Sequence, residues 1–193
     1  MKLNLPTALT LSRIAVIPVF ILIFYLPVSW SNDTCTILFV LAAITDWLDG
    51  YIARRYGLSS RFGAFLDPVA DKLMVAVVLI LLVDRNPTAL PDFFLAIPAV
   101  IIIGREITIS ALREWMAELG ESGVVSVSFI GKVKTSAQLI ALPFMIHREP
   151  LWEVIPVAEI GLFLLYVASV LTLWSMFHYL RGAWPVLRDN AGK

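Results

Sequence analysis

Four aspartates, Asp46, Asp49, Asp67 and Asp71, stand beside or inside stretches that otherwise read as membrane-spanning. An ionised carboxylate at membrane depth costs roughly 2.5 to 3.5 kcal/mol on insertion scales unless something compensates it. Four of them close together do not all stay ionised without strong positive charge among them. Oxygen-only ligands, with no cysteine or histidine beside them, suit Mg²⁺ or Mn²⁺ rather than zinc or copper. Two divalent cations would offset the four negative charges, and paired metals are the usual clamp for displacement at phosphorus.

Residues 46–54 read Asp-Trp-Leu-Asp-Gly-Tyr-Ile-Ala-Arg. On a helix, Asp46, Asp49, Gly50 and Ala53 fall within about 100° of one another. One face therefore carries two carboxylates and two residues with almost no side chain, so a bulky ligand can approach. Asp67 and Asp71 are four apart and share a face if both are helical. Pro68 predicts that the helix starts or bends there, and a start would make Asp67 a cap as well as a ligand. Helical spacing alone fits other readings equally well. The carboxylates could pair with Arg54, Arg55, Arg61 and Lys72, or line a proton or cation path in a transporter.

The elements that must hold these residues are apolar. The 193 residues are 59% hydrophobic, and the excess over a soluble domain lies in long runs. Net charge is zero, so nothing in the bulk composition points to nucleic acid. The single Cys35 excludes an internal disulfide and a cysteine-based zinc site. His147 and His178 are outside any ligand spacing and read as interfacial.

Residues 1–13 are mildly amphipathic, with Asn4, Thr7, Thr10 and Arg13 every third position. They predict a short N-terminal interfacial helix leading into a first span over 14–26. That run resembles a signal-peptide core but lacks a small-residue cleavage site after it, so a retained helix is expected. Further spans are predicted over 34–51 (continuing to 55), 68–83, 92–118, 130–146 and 155–179, with a tail from 181. The fourth is apolar only to Gly104, and its charged end should project into water. No repeat or linker interrupts the pattern, so 1–193 reads as one domain. With the N-terminus in the cytoplasm, thirteen basic residues fall on that side and only Arg85 and Arg148 on the other. All four aspartates then lie at the cytoplasmic ends of spans two and three.

The pattern D-x2-D-G-x2-A-R-x8-G-x3-D-x3-D, running from Asp46 through Gly63 to Asp71, resembles the signature of the CDP-alcohol phosphotransferase family without a departure. The segments 4–13, 104–120 and 131–135 extend that resemblance over nearly the whole chain. The resemblance implies an all-α integral membrane enzyme with six transmembrane helices around a polar cavity open to the cytoplasm. It implies a bacterial inner membrane setting and a homodimer. CDP-diacylglycerol would be the donor and glycerol 3-phosphate the acceptor, with phosphatidylglycerol phosphate and CMP as products. Asp46, Asp49, Asp67 and Asp71 would hold two Mg²⁺ ions, and Asp71 would also be the candidate base. Gly50, Ala53 and Gly63 would make room for the cytidine, and Arg54 would contact the diphosphate.

A dianionic acceptor needs cations. Arg105 and Arg113 are eight apart, about 80° around a helix, and could line one cavity wall. Self-neutralising pairs with Glu106 and Glu114 are the competing reading, as is a Glu106–Arg113 pair. Lys132 and Lys134 diverge by about 200°, so one of the two is expected on the substrate. Thr10 and Arg13 are expected at the lipid headgroup or nucleotide, with interfacial snorkelling of Arg13 an equal reading. Other acceptors, inositol phosphate or serine, would use the same chemistry. A transporter is the alternative from another class, although its acids should sit near the midplane on broken helices or repeats.

Overall fold

The computed structural model describes residues 5–56, 61–120, 129–152 and 154–190. The described chain is helical: α1 (Leu5–Tyr25), α2 (Ser31–Tyr56), α3 (Arg61–Asp84), α4 (Phe93–Glu118), α5 (Phe129–His147) and α6 (Val157–Asn190). Within these residues the only extended pairing is an isolated bridge between Leu151 and Ile155. Four helices have stretches long and apolar enough to cross a membrane, at Thr7–Tyr25, Ser31–Ile52, Phe93–Glu118 and Val157–Arg188. In α3 the first half carries Asp67, Asp71 and Lys72, which interrupt its apolar run.

Helix packing follows a closed circuit. α1 packs on α2, α2 on α5, α5 on α6, α6 on α4, α4 on α3, and α3 returns to α1. Inside it, Phe20, Leu79, Leu82, Leu95, Ile102, Leu142, Met145 and Leu165 are fully buried. Large apolar side chains also face outward, among them Leu22, Ile80, Val100, Ile107 and Phe163. A contiguous apolar exterior of this kind would be a liability in water and is what a membrane protein presents to lipid.

Three predicted boundaries differ from the structure. Among the described residues the expected interfacial helix is not a separate element, because α1 runs unbroken from Leu5. Thr7, Thr10 and Arg13 are 3%, 2% and 6% exposed, so their stripe faces the protein interior rather than headgroups. α3 begins at Arg61 and contains Pro68, so Asp67 is not a cap. A proline there forfeits one backbone hydrogen bond, and the helix continues through it. Finally, α6 continues past Arg181 to Asn190. Its extra turns have an apolar face: Val186 and Leu187 pack with Leu180 against Ile109, Leu112 and Met116 of α4. Helices α2, α4 and α5 lie where the second, fourth and fifth spans were expected. Residues 57–60 and 121–128, which connect predicted spans, and Glu153 lie outside the described residues.

Gly161 sets the spacing of α5 and α6. A Cβ at this position would stand 2.6 Å from Met145 Cγ and 2.9 Å from the Ala141 carbonyl oxygen. The backbone oxygen cannot be rotated away, so a larger residue must push the helices apart. Gly161→Val is expected to destabilise the protein by about 1–3 kcal/mol. A lowered thermal midpoint in detergent would show it; an unchanged midpoint would contradict this packing.

Candidate active site

Two consecutive helices supply the carboxylates, and α1 supplies their counter-ion. Asp46 and Asp49 lie one turn apart on α2, and Asp67 and Asp71 one turn apart on α3, as the helical period requires. Arg13 projects from α1 between them. Its Nη1 donates to Asp46 Oδ1 at 2.5 Å and to Asp71 Oδ1. Its Nη2 donates to Asp49 Oδ2 and Asp67 Oδ1, each at 2.8 Å. Thr10, one turn earlier, donates to Asp49 Oδ2 at 3.4 Å. Asp49 is 2% exposed, whereas the side chains of Asp46, Asp67 and Asp71 are 37%, 43% and 45% exposed. The cluster is therefore sealed on the α1 side and open on the other.

These residues fit a divalent cation. Asp46, Asp49 and Asp67 each bring a carboxylate oxygen, all within 4.8 Å of one another. Every donor is a hard oxygen, and one guanidinium against four carboxylates leaves a net negative site. Asp71 completes the set through Arg13 rather than through that compact trio.

A second cluster faces the first. Glu106 on α4 accepts from Lys134 Nζ at 2.7 Å and from Arg105 Nη1 at 2.8 Å. Arg105 Nη2 donates to Ser175 Oγ of α6 at 3.0 Å. Arg105 and Arg113 both lie 5.6 Å from the ring centre of Tyr179, and Arg113 Nη2 donates to the Tyr179 hydroxyl at 3.5 Å. Arg105 and Lys134 thus share one carboxylate while Arg113 joins Arg105 at the Tyr179 ring, giving a basic wall suited to a phosphorylated ligand.

Two adjoining clefts join the walls. One, of about 120 Å³, is lined by Arg13, Asp46, Asp71, Met74 and Thr135. The other, of about 200 Å³, is lined by Asp71, Lys72, Glu106, Lys134 and Thr135. Asp71 and Thr135 border both, so Asp71 stands at the junction of the acidic and basic halves.

Several sequence expectations resolve differently here. Arg13 does not snorkel to the interface, because four carboxylates offer it a far stronger partnership than lipid headgroups. Among the described side chains it is also the cation that the aspartates bind; Lys72 donates instead to Ser110. Glu106 pairs with Arg105 and Lys134 rather than with Arg113. His147, read as interfacial, has its Nδ1 2.9 Å from Asp33 Oδ1. Gly50 is half-buried beside Asp49, and Gly63 lies one turn before Asp67. The side chains of Ala53, Arg54 and Lys132 lie outside the described residues. Sequence reasoning did not single out Ser175, Tyr179 or Thr135. The stripe of Thr7, Thr10 and Arg13 was the available signal for the third helix of the acid cluster.

Known proteins bear on this arrangement. The CDP-alcohol phosphatidyltransferase family profile matches residues 3–174. A protein of Shigella flexneri serotype 5b (strain 8401), named CDP-diacylglycerol–glycerol-3-phosphate 3-phosphatidyltransferase, is 51% identical over 190 residues. That alignment covers 98% of this chain and all of the relative. The protein of the same name from Escherichia coli (strain K12) has the same identity and coverage. The matched region contains both walls of the cleft apart from the last turns of α6, and the chain belongs to the CDP-alcohol phosphatidyltransferase family.

Proposed function

We propose that this protein transfers the phosphatidyl group of CDP-diacylglycerol to glycerol 3-phosphate, yielding phosphatidylglycerol phosphate and CMP. The observation that carries this reading is the meeting of acidic and basic residues at Asp71, where two adjoining clefts join. The name of relatives 51% identical over the whole length supports the choice of substrates.

All six helices cross the inner membrane of a bacterium, with the N-terminus and the cleft on the cytoplasmic side. The bias of thirteen basic residues to two supports that orientation. The enzyme works as a homodimer. Asp46, Asp49, Asp67 and Asp71 hold two Mg²⁺ ions, with Mn²⁺ as a substitute. Metal held by these carboxylates would supply positive charge for the diphosphate and for the departing CMP.

The residues of the chain divide the remaining work. Gly50, Ala53 and Gly63 leave room for the cytidine, and Arg54 contacts the diphosphate. Thr10 and Arg13 act on the donor through the carboxylates they hold. Arg105, Arg113 and Lys134 take the phosphate of the acceptor, with Lys132 as an alternative to Lys134. Binding there sets the acceptor hydroxyl near Asp71. The Asp71 carboxylate accepts the hydroxyl proton as the oxygen attacks the phosphatidyl phosphorus. The new oxygen–phosphorus bond replaces the bond to the bridging oxygen, which departs with CMP. Neighbouring cations offset the charge that would otherwise repel the attacking oxygen.

The direct test is CMP release by purified protein given CDP-diacylglycerol and one acceptor at a time. Release with glycerol 3-phosphate alone is expected. Release only with inositol phosphate or serine would overturn the acceptor, and no release with any alcohol from folded, metal-bound protein would favour transport.

Asp71→Asn is expected to lower turnover by about 10²- to 10⁴-fold while metal still raises the thermal midpoint. Near-normal turnover with intact metal binding would remove Asp71 from the role of base. Lys134→Met should raise KM for glycerol 3-phosphate by roughly ten- to a hundredfold, the value of a charged hydrogen bond. The same variant should leave KM for CDP-diacylglycerol unchanged; equal effects on both substrates would argue against an acceptor-specific wall.

A further inference from the structure

Arg13 is buried to 6% exposure, and every described hydrogen bond of its two terminal nitrogens goes to one of the four aspartates. Its Nε is buried too and has no partner among the described residues. The side chain is therefore drawn into the acid cluster although one of its own donors goes unsatisfied. We propose that Arg13 is the built-in counter-cation of the metal-free protein, and that divalent cations load by exchange with its guanidinium. This rests on the metal-site reading above, and goes beyond it by assigning a competitor that the chain itself carries.

The argument is one of charge and space. Each aspartate gives Arg13 one oxygen, and Asp46 Oδ1, Asp49 Oδ2 and Asp67 Oδ1 converge on the same small volume. A divalent cation needs oxygens at about 2.0–2.6 Å, drawn from these same carboxylates. Two cations within a few ångströms repel strongly in a low-dielectric surround. A lysine or histidine could respond by losing its proton, but a guanidinium stays charged. Arg13 must therefore give up some of its carboxylate bonds as metal enters. The cleft it borders with Phe39, Ala42, Met74 and Leu139 provides space beside the cluster. Before loading, the guanidinium keeps four carboxylates from repelling one another and forcing α2 and α3 apart.

Full-length protein in detergent, stripped of metal by a chelator, provides the test. Mn²⁺ binding is followed by the loss of the free-ion paramagnetic resonance signal, and stability by the thermal midpoint. Relative to wild type, metal-free Arg13→Gln should melt at lower temperature. It should bind Mn²⁺ roughly tenfold more tightly, the scale on which one adjacent charge acts on a carboxylate, and Arg13→Lys should fall between. Unchanged or weaker Mn²⁺ binding by Arg13→Gln, with wild-type binding intact, would overturn the proposal. Wild-type protein gives a second measurement that does not depend on the variant folding. Phenylglyoxal modification of Arg13, read by peptide mass spectrometry, should be slow without metal and faster at saturating Mg²⁺. Equal reactivity in both states would count against exchange. Failure of wild-type protein to bind Mn²⁺ at all would overturn the metal site itself, and this inference with it.

Discussion

Carboxylates brought together away from bulk water repel one another and lose hydration, and only a permanent positive charge among them holds the arrangement. Arg13 meets that requirement from a third helix. Its four partners span two helices, so α1, α2 and α3 must keep one register with respect to each other. A one-residue slip would move a carboxylate by about 1.5 Å along its helix and 100° around it. The apolar layer above the site, with Phe20 and Phe24 of α1 against Phe39 of α2 and Leu79 of α3, keeps that register by close packing. Polar pairing and apolar packing thus specify the same alignment.

The circuit of helix contacts explains how opposite charges coexist without collapsing onto each other. Acids occupy α2 and α3, while the cations of the second cluster come from α4 and α5, and α6 contributes Ser175 and Tyr179. Glu106 tempers Arg105 and Lys134 at 2.8 and 2.7 Å, so part of that wall's positive charge is offset and the rest remains. What remains between the walls is a graded passage from net negative to net positive, with Asp71 and Thr135 at its middle. A ligand bearing both a cation-bridged diphosphate and a second phosphate nearby matches that gradient better than a uniformly charged one does.

Legibility in the sequence followed the range of the interactions. The pairing of Asp46 with Asp49, and of Asp67 with Asp71, is local and follows from the helical period. The placement of Arg105 and Arg113 on neighbouring faces of α4, both against the Tyr179 ring, follows for the same reason. Tertiary choices were not legible. Nothing local tells that Arg13 turns inward to residues 33 to 58 positions away rather than outward to headgroups. Pro68 carries a genuine helix-start signal, yet the turn before it stays helical, with Asp67 bonded to Arg13. The end of α6 was misjudged because its apolar face acquires meaning only against α4. By spacing Glu106 had two candidate partners, Arg105 and Arg113; it takes Arg105, and its second partner, Lys134 of a distant helix, is supplied only by the fold.

The positions of these residues along the chain bear on biosynthesis. Arg13 and all four aspartates lie within the first 71 residues, on three consecutive helices. Charged helices entering a bilayer are held in it more readily when their charges can neutralise one another. The acid cluster can therefore close within three consecutive helices, using no residue of the basic wall, all of which lie later in the chain. The helices that follow then assemble against a template whose most unfavourable charges are already paired.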